Sequence, residues 1–198
     1  MSTSKKKYTQ MYRRAKESSQ LFLQRNEVPV FIRRVVELDK KRGKALDIGC
    51  ASGFYSVFLA QQGYQVTALD YIPAAIEFAK KRASKAGVEI NFIEGDITEW
   101  ISPERYDFIL DSGCLHNFNK KDRIKYRQRF PQWLSENANF VLVHFGKRSI
   151  FDINYRLGLK VKRATKDETE GFFQPELKLV EFYAEPGSRP LFYYRFRK

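Results

Sequence analysis

Apolar positions along the chain fall into two alternating rhythms, one of period about 3.6 and one of short unbroken runs. Phe31, Val35 and Leu38, flanked by Ile32 and Val36, share a helical face, and Val28-Pro29 sets proline in the first turn. Lys40-Lys41-Arg42-Gly43 reads as the end of that helix, with cations in the last turn and glycine behind. The run Lys44 to Ile48, closed by Gly49, predicts a buried strand. Phe54 to Gln62 predicts a helix stopping at Gly63, and Gln65 to Leu69 a second strand. Ile72-Pro73 opens another helix, with Ile76, Ala79 and Ala83 on one face and an end near Ala86-Gly87. Further strands are predicted over 89–93, 106–110 and 139–145, with a charged helix over 122–129 ending before Pro131. Tyr12 to Leu23 is weakly helical behind a frayed basic tail.

Strands alternating with helices predict a doubly wound, mostly parallel sheet of the Rossmann-like α/β class, with helices on both faces. The end of the chain breaks the rhythm. Thr165, with Glu168 three residues on, forms a capping-box pattern that opens a short helix to Phe173. Leu177 to Ala184 and Leu191 to Phe196 are strands joined by Glu185-Pro-Gly-Ser188, a hairpin signal. An antiparallel hairpin on the edge of the parallel sheet is the expected finish.

With 198 residues the chain suits a single domain that needs no disulfide or structural metal to fold. A first division has a basic segment over 1–27 able to act as a lid, a core over 28–145, and an insertion with the hairpin over 146–198. Two cysteines, Cys50 and Cys114, exclude a disulfide scaffold and a cysteine-rich zinc site, and no metal is expected. No apolar run approaches the length of a membrane span, and residues 1–7 are polar and basic. The expectation is a monomer in the cytoplasm, away from membranes. Charge is the unusual feature: the net value is +13, distributed unevenly. Residues 1–50 carry 13 basic and 5 acidic side chains, residues 51–118 carry 5 and 9, and residues 119–198 carry 18 and 9. The basic thirds would attract nucleic acid or anionic metabolites. The acidic middle is a poor setting for a phosphate-binding site and a better one for a cationic ligand.

That middle begins with Asp47-Ile-Gly49-Cys-Ala51-Ser-Gly53, a loop between a strand and a helix, where ligands of open α/β sheets sit. It lacks the Gly-x-Gly-x-x-Gly spacing of a dinucleotide fingerprint and the Lys-Ser/Thr pair of a phosphate loop. Asp70 ends the second strand, 17 residues beyond Gly53. A carboxylate there can accept from ribose hydroxyls. Gly95-Asp96-Ile97 follows the third strand and could meet an adenine, with Asp96 accepting from the amino group and Ile97 against the ring. With Tyr106-Asp-Phe-Ile-Leu-Asp111, these segments resemble the successive motifs of class I S-adenosylmethionine-dependent methyltransferases over roughly residues 30–145. Ala51 departs from the glycine usual in that family. The resemblance implies a seven-stranded sheet of order 3-2-1-4-5-7-6 and S-adenosylmethionine as cofactor. It implies cofactor contacts from Asp47, Gly49, Cys50, Ala51, Ser52, Gly53, Asp70, Tyr71, Asp96, Ile97 and Asp111.

The loop after the fourth strand, Asp111-Ser-Gly-Cys114-Leu-His116-Asn117-Phe118, lacks the Asp/Asn-Pro-Pro-Tyr/Phe run of amino-methylating nucleic-acid enzymes. It is more similar to the small-molecule branch that includes thiopurine, thiol and tellurite-resistance methyltransferases. Transfer of a methyl group to a small-molecule acceptor is therefore the leading expectation. RNA or protein methylation, and a non-catalytic cofactor-binding module, are the alternatives. His116 and Asp111 are the candidate catalytic residues, with His116 as base or as a substrate-positioning group. Tyr8, Tyr12, Cys114, Asn117, His144 and Arg148 are further candidates for the acceptor side. Arg13, Phe22, Arg25, Phe151, Tyr155 and Arg156 complete the candidate lids, whose aromatic and basic character suits an anionic or aromatic acceptor.

Overall fold

A computed structural model describes residues 8–12, 27–146, 164–185, 187 and 190–198. Helix α1 spans Val30–Leu38, strand β1 Lys44–Ile48, α2 Phe54–Gln61, β2 Gln65–Asp70, α3 Pro73–Ala86 and β3 Asn91–Glu94. Strand β4 spans Tyr106–Ser112, followed by a 3-10 turn over Leu115–Asn117, α4 Lys120–Trp133 and β5 Leu134–Phe145. Helix α5 spans Lys166–Phe173, β6 Lys178–Glu185 and β7 Leu191–Arg197. The strands form one sheet of order β3-β2-β1-β4-β5-β7-β6, as the resemblance implied. All pairs are parallel except β5–β7 and β6–β7.

Period-two alternation inside the buried strands decides which face each helix covers. Ala45, Phe108, Leu110, Val141 and Val143 point to one face, where Phe31, Ile32, Val35 and Val36 of α1 and Leu59 of α2 pack. Leu46, Ile48, Ile109, Phe140 and Leu142 point to the other, against Tyr126, Phe130 and Trp133 of α4 and Phe173 of α5. That second layer is dominated by aromatic rings, with Phe130 4.5 Å from Phe140 and Phe173 5.1 Å from Phe140 between centroids. Tilted and edge-on pairs of this kind add to the area they bury.

Several boundaries differ from the pattern reading. Helix α4 begins earlier and runs through Pro131. Asn119 caps it by accepting from the Asp122 N–H at 3.0 Å, and burial of Phe130 and Trp133 holds the last turn despite the missing proline N–H. Strand β5 starts at Leu134 rather than 139, because Leu134 pairs with Tyr106 across a register shift that the polar Ser135-Glu136-Asn137 conceals. Strand β3 lies over Asn91–Glu94, two residues beyond its expected start. Helix α1 ends at Leu38, before the cations expected in its last turn. Arg42 nonetheless reaches back and donates to the Val36 and Asp39 carbonyls, and to the Tyr64 hydroxyl at 3.2 Å. Residues 8–12 form one helical turn, so the basic tail is ordered at Tyr8 to Gln10, where fraying was expected; of the weak helix expected over 12–23, only Tyr12 is among the described residues. Tyr12 is buried there against Ile72, Ala75 and Phe78 at the start of α3. No helix among the described residues is long and apolar enough to cross a membrane.

Candidate functional site

A cleft of about 560 Å³ opens beyond the carboxyl ends of β1, β2 and β4, where the order of the sheet reverses. The loop after β1 forms its floor. Gly49, Ala51 and Gly53 have φ values of 67°, 53° and 74°, a left-handed succession that lets the chain turn tightly into α2. A side chain at Gly49 would meet Cys114 at 3.0 Å, and one at Gly53 would meet Ala79 at 2.8 Å. The first contact keeps the β1 and β4 loops together; the second lets α2 approach α3.

Asp70 ties this floor to the next wall. Its Oδ2 accepts from the Ala51 N–H and its Oδ1 from the Ile72 N–H, both at 2.9 Å. Burial pushes its carboxyl above the ordinary value, and the N–H groups of Ile72, Ala51 and Tyr71 oppose the shift. Asp96 orders the loop after β3 in the same way, accepting from the Thr98 N–H at 2.9 Å and the Thr98 hydroxyl at 2.8 Å. Across the cleft, Asp111 holds the β4 loop. It accepts from the Cys114 N–H at 2.7 Å, the Leu115 N–H at 3.1 Å and the Tyr126 hydroxyl at 3.1 Å. Asn117 then braces that loop by donating to the Gly113 carbonyl at 2.8 Å, and it accepts from the Tyr8 hydroxyl at 3.2 Å. The turn at residues 8–12 thus bridges from α3 to the β4 loop.

Of the residues singled out in the sequence, Tyr8, Tyr12, Gly49, Ala51, Asp70, Tyr71, Asp96, Cys114 and Asn117 line the cleft together. Asp47, Cys50, Ser52, Ile97 and Asp111 lie behind its surface, all buried. Asp47 accepts from the Ser56 hydroxyl at 2.6 Å; Asp111 is bonded to its own loop and to α4. His116 and His144 meet edge to face at 5.8 Å, with His116 also 4.5 Å from the Phe145 ring. His116 packs on Gly113, where a side chain would stand 2.9 Å from its Cε1; Gly113 lines the cleft and the half-buried His116 does not. Arg13, Phe22, Arg25, Arg148, Phe151, Tyr155 and Arg156 lie outside the described residues.

The sequence reading missed Ser112, Thr98, Phe118, Asn119 and Asp122, which also line the cleft. Only Ser112 carried a usable signal, its place at the end of the fourth strand beside Asp111. Its Oγ is shielded from solvent and has no hydrogen-bond partner among the described residues. The donor set therefore combines a glycine cradle, a buried strand-end carboxylate with a further lone pair on each oxygen, and an unsatisfied hydroxyl. It has acidic residues and no lysine or arginine among the described lining residues. That chemistry fits a nucleoside bearing a positive charge.

Comparison with known proteins agrees with this geometry. Residues 45–137 match the family model described as "Methyltransferase domain". The 2-heptyl-1-hydroxyquinolin-4(1H)-one methyltransferase of Mycobacteroides abscessus is 30% identical over 118 residues, 59% of this chain and 52% of the relative. A ubiquinone biosynthesis O-methyltransferase of Rickettsia felis is 36% identical over 77 residues, 39% of this chain and 30% of the relative. The chain thus matches about half or less of the length of these curated relatives. Among solved structures, the N-methyltransferase NodS of Bradyrhizobium japonicum, in complex with S-adenosyl-L-homocysteine, superposes with a TM-score of 0.71. The identity is 21%, with 96% of this chain and 97% of that chain covered. In its strand order, its loop motifs and its matched domain, the chain is similar to the class I S-adenosylmethionine-dependent methyltransferases.

Proposed function

We propose that the protein transfers the methyl group of S-adenosylmethionine to a small-molecule acceptor. The observation that carries this reading is the cleft floor, where Asp70 and the left-handed Gly49–Gly53 loop are joined by the Ala51 N–H bond. When bound, the cofactor supplies an electrophilic methyl on a sulfonium. The rest is done by the chain. Asp70 accepts from the ribose hydroxyls through the lone pairs its backbone bonds leave. The Gly49 loop admits the ligand close to the backbone, and Asp96 serves the adenine end, with Ile97 packed behind it. Asp111 acts as a positioning residue, because its oxygens are spent on the β4 loop and Tyr126. His116 positions Gly113, on which it packs. The acceptor enters over the Tyr8–Asn117 side, and alignment with exclusion of water provides most of the acceleration.

The relatives named for a hydroxyquinolone and for an O-methylation support a hydroxylated ring as the first acceptor to test. We place the protein in a reducing cytoplasm as a monomer, with Cys50 and Cys114 as free thiols. The test is transfer from labelled S-adenosylmethionine to a panel of hydroxylated aromatic rings, thiols, amines and bulk RNA. Label in a small molecule supports the reading. Label only in RNA replaces the substrate class, and binding without transfer to any acceptor replaces the enzyme with a binding module. With an acceptor in hand, His116→Ala should chiefly raise KM; a fall in kcat of about 10²–10⁴-fold would instead make His116 a general base.

A further inference from the structure

The roles above leave the charge of three buried carboxyl groups unexplained. Asp47 on β1 pairs with Leu110 of β4, and the next residue, Ile48, pairs with Asp111 of β4 and Leu69 of β2. Asp47, Asp111 and Asp70 therefore gather at the ends of three adjacent strands, all buried. Their hydrogen-bond partners are the Ser56 hydroxyl, the Tyr126 hydroxyl and backbone N–H groups. None of those partners is a cation. From α4, Arg123 acts on Asp111 only at longer range. Arg82 of α3 donates to the Ser52 carbonyl at 2.9 Å. Among the described residues, the remaining titratable groups facing the three are thiols and phenols, Cys50 and Cys114 from the two loops, Tyr126 from α4, and Tyr8, Tyr12 and Tyr71 over the cleft, with the Asp96 carboxyl on the far wall.

Like charges in a space shielded from water repel, so the group does not ionise fully until a positive charge joins it. Burial pushes the Asp47 carboxyl up to about 7; the Ser56 hydroxyl opposes the shift, and Asp70 and Asp111 add to it. Burial likewise pushes Asp111 up to about 6, opposed by the Cys114 N–H and the Tyr126 hydroxyl.

We propose that cofactor binding is proton-linked through this trio, with Asp47 carrying a proton in the free protein and releasing it as cationic S-adenosylmethionine enters the cleft. The inference rests on the cofactor assignment above. The balance is simple: the Asp47 O–H bond breaks, its electron pair stays on the carboxylate, and the proton passes to solvent. The positive charge lost is replaced by that of the ligand. S-adenosylhomocysteine lacks the sulfonium charge and drives less release. Acidification then weakens cofactor more than product, so product inhibition grows as pH falls.

The test is titration calorimetry of the full chain with each ligand at pH 6, 7 and 8, in buffers of different ionisation enthalpy. The dependence of heat on buffer counts the protons released. About half a proton should leave at pH 7 with S-adenosylmethionine, and clearly less with S-adenosylhomocysteine. The Kd of S-adenosylmethionine should weaken about tenfold between pH 8 and pH 6. Asp47→Asn should abolish the release. Ser56→Ala, which removes a bond favouring the charged form, should move the release to higher pH and decides the matter if Asp47→Asn does not fold. Binding without proton release in the wild type, or release unchanged in both variants, overturns the linkage and leaves the cofactor assignment intact. Absence of binding by either ligand overturns both.

Discussion

Asp70 does more than its sequence position announced. Its two oxygens bind the backbone on both sides of the cleft floor, at Ala51 and at Ile72, so one carboxylate sets the loop geometry and offers its outer lone pairs to a ligand. Asp70→Ala should therefore lower affinity for S-adenosylmethionine by about 2–3 kcal/mol, the scale of losing hydrogen bonds to a charged group. Calorimetry checks this, with circular dichroism to show the fold; unchanged affinity would remove Asp70 from the site. Ala51 stands beside it with a φ of 53°, a conformation in which a Cβ is strained. Ala51→Gly should relieve that strain and stabilise the protein by about 0.5–1 kcal/mol, while cofactor affinity is kept. Urea unfolding of the two forms gives the comparison.

Local signals and packing compete within the elements, and the outcome depends on what each element buries. Helix α5 follows its local signal. Thr165 accepts from the Glu168 N–H at 3.1 Å, and Glu168 accepts from the Thr165 N–H at 2.7 Å. Thr165→Ala should cost about 1 kcal/mol, read as a lower urea midpoint with the slope unchanged. Helix α4 overrides its local signal, because Phe130 and Trp133 flank Pro131 in the aromatic layer and are buried. Strand β5 also extends beyond its apolar run, since Ser135 donates to Asp107 at 2.7 Å and Leu134 is buried next to it.

For the whole molecule, the acidic centre has a price in pH dependence. Asp47 and Asp111 sit above their unfolded values in the cofactor-free fold, so between about pH 4 and 7 the native state holds more protons than the unfolded one. Unfolding free energy then falls as pH rises through that window. Asp107, lowered by its Lys41, Ser135 and Lys44 N–H contacts against an opposing burial effect, adds stability that is lost only at more acid pH. The melting temperature of the free protein, scanned from pH 5 to 7.5, should fall on this account. Saturating S-adenosylmethionine should recover most of the loss at pH 7.5, by binding the native state alone. A melting temperature rising steadily over that range would contradict the charge placement.

The sequence by itself determined the doubly wound class and the place of the Gly49–Gly53 loop at a strand end, and the resemblance its motifs carry implied the sheet order. The class and the loop rest on local rules: period-two and period-3.6 patterning, glycines at sharp turns, and strand-end carboxylates at fixed spacing. Asp70, Asp96 and Gly49 were legible because a strand end dictates which side of the sheet its last residue faces. The structure alone decided which chemically suitable residues reach the cleft. His116 and Asp111 stand close in sequence to Cys114 and Asn117, yet only the latter two line the cleft: three residues apart, they share one side of the 3-10 turn, whereas His116 is rotated off that side and Asp111 is buried on β4. Asn119 and Asp122 entered the site through the docking of α4 on the β3 loop, marked by the Arg129 bond to the Thr98 carbonyl at 2.7 Å. Such contacts join residues far apart in sequence, and no local pattern encodes them.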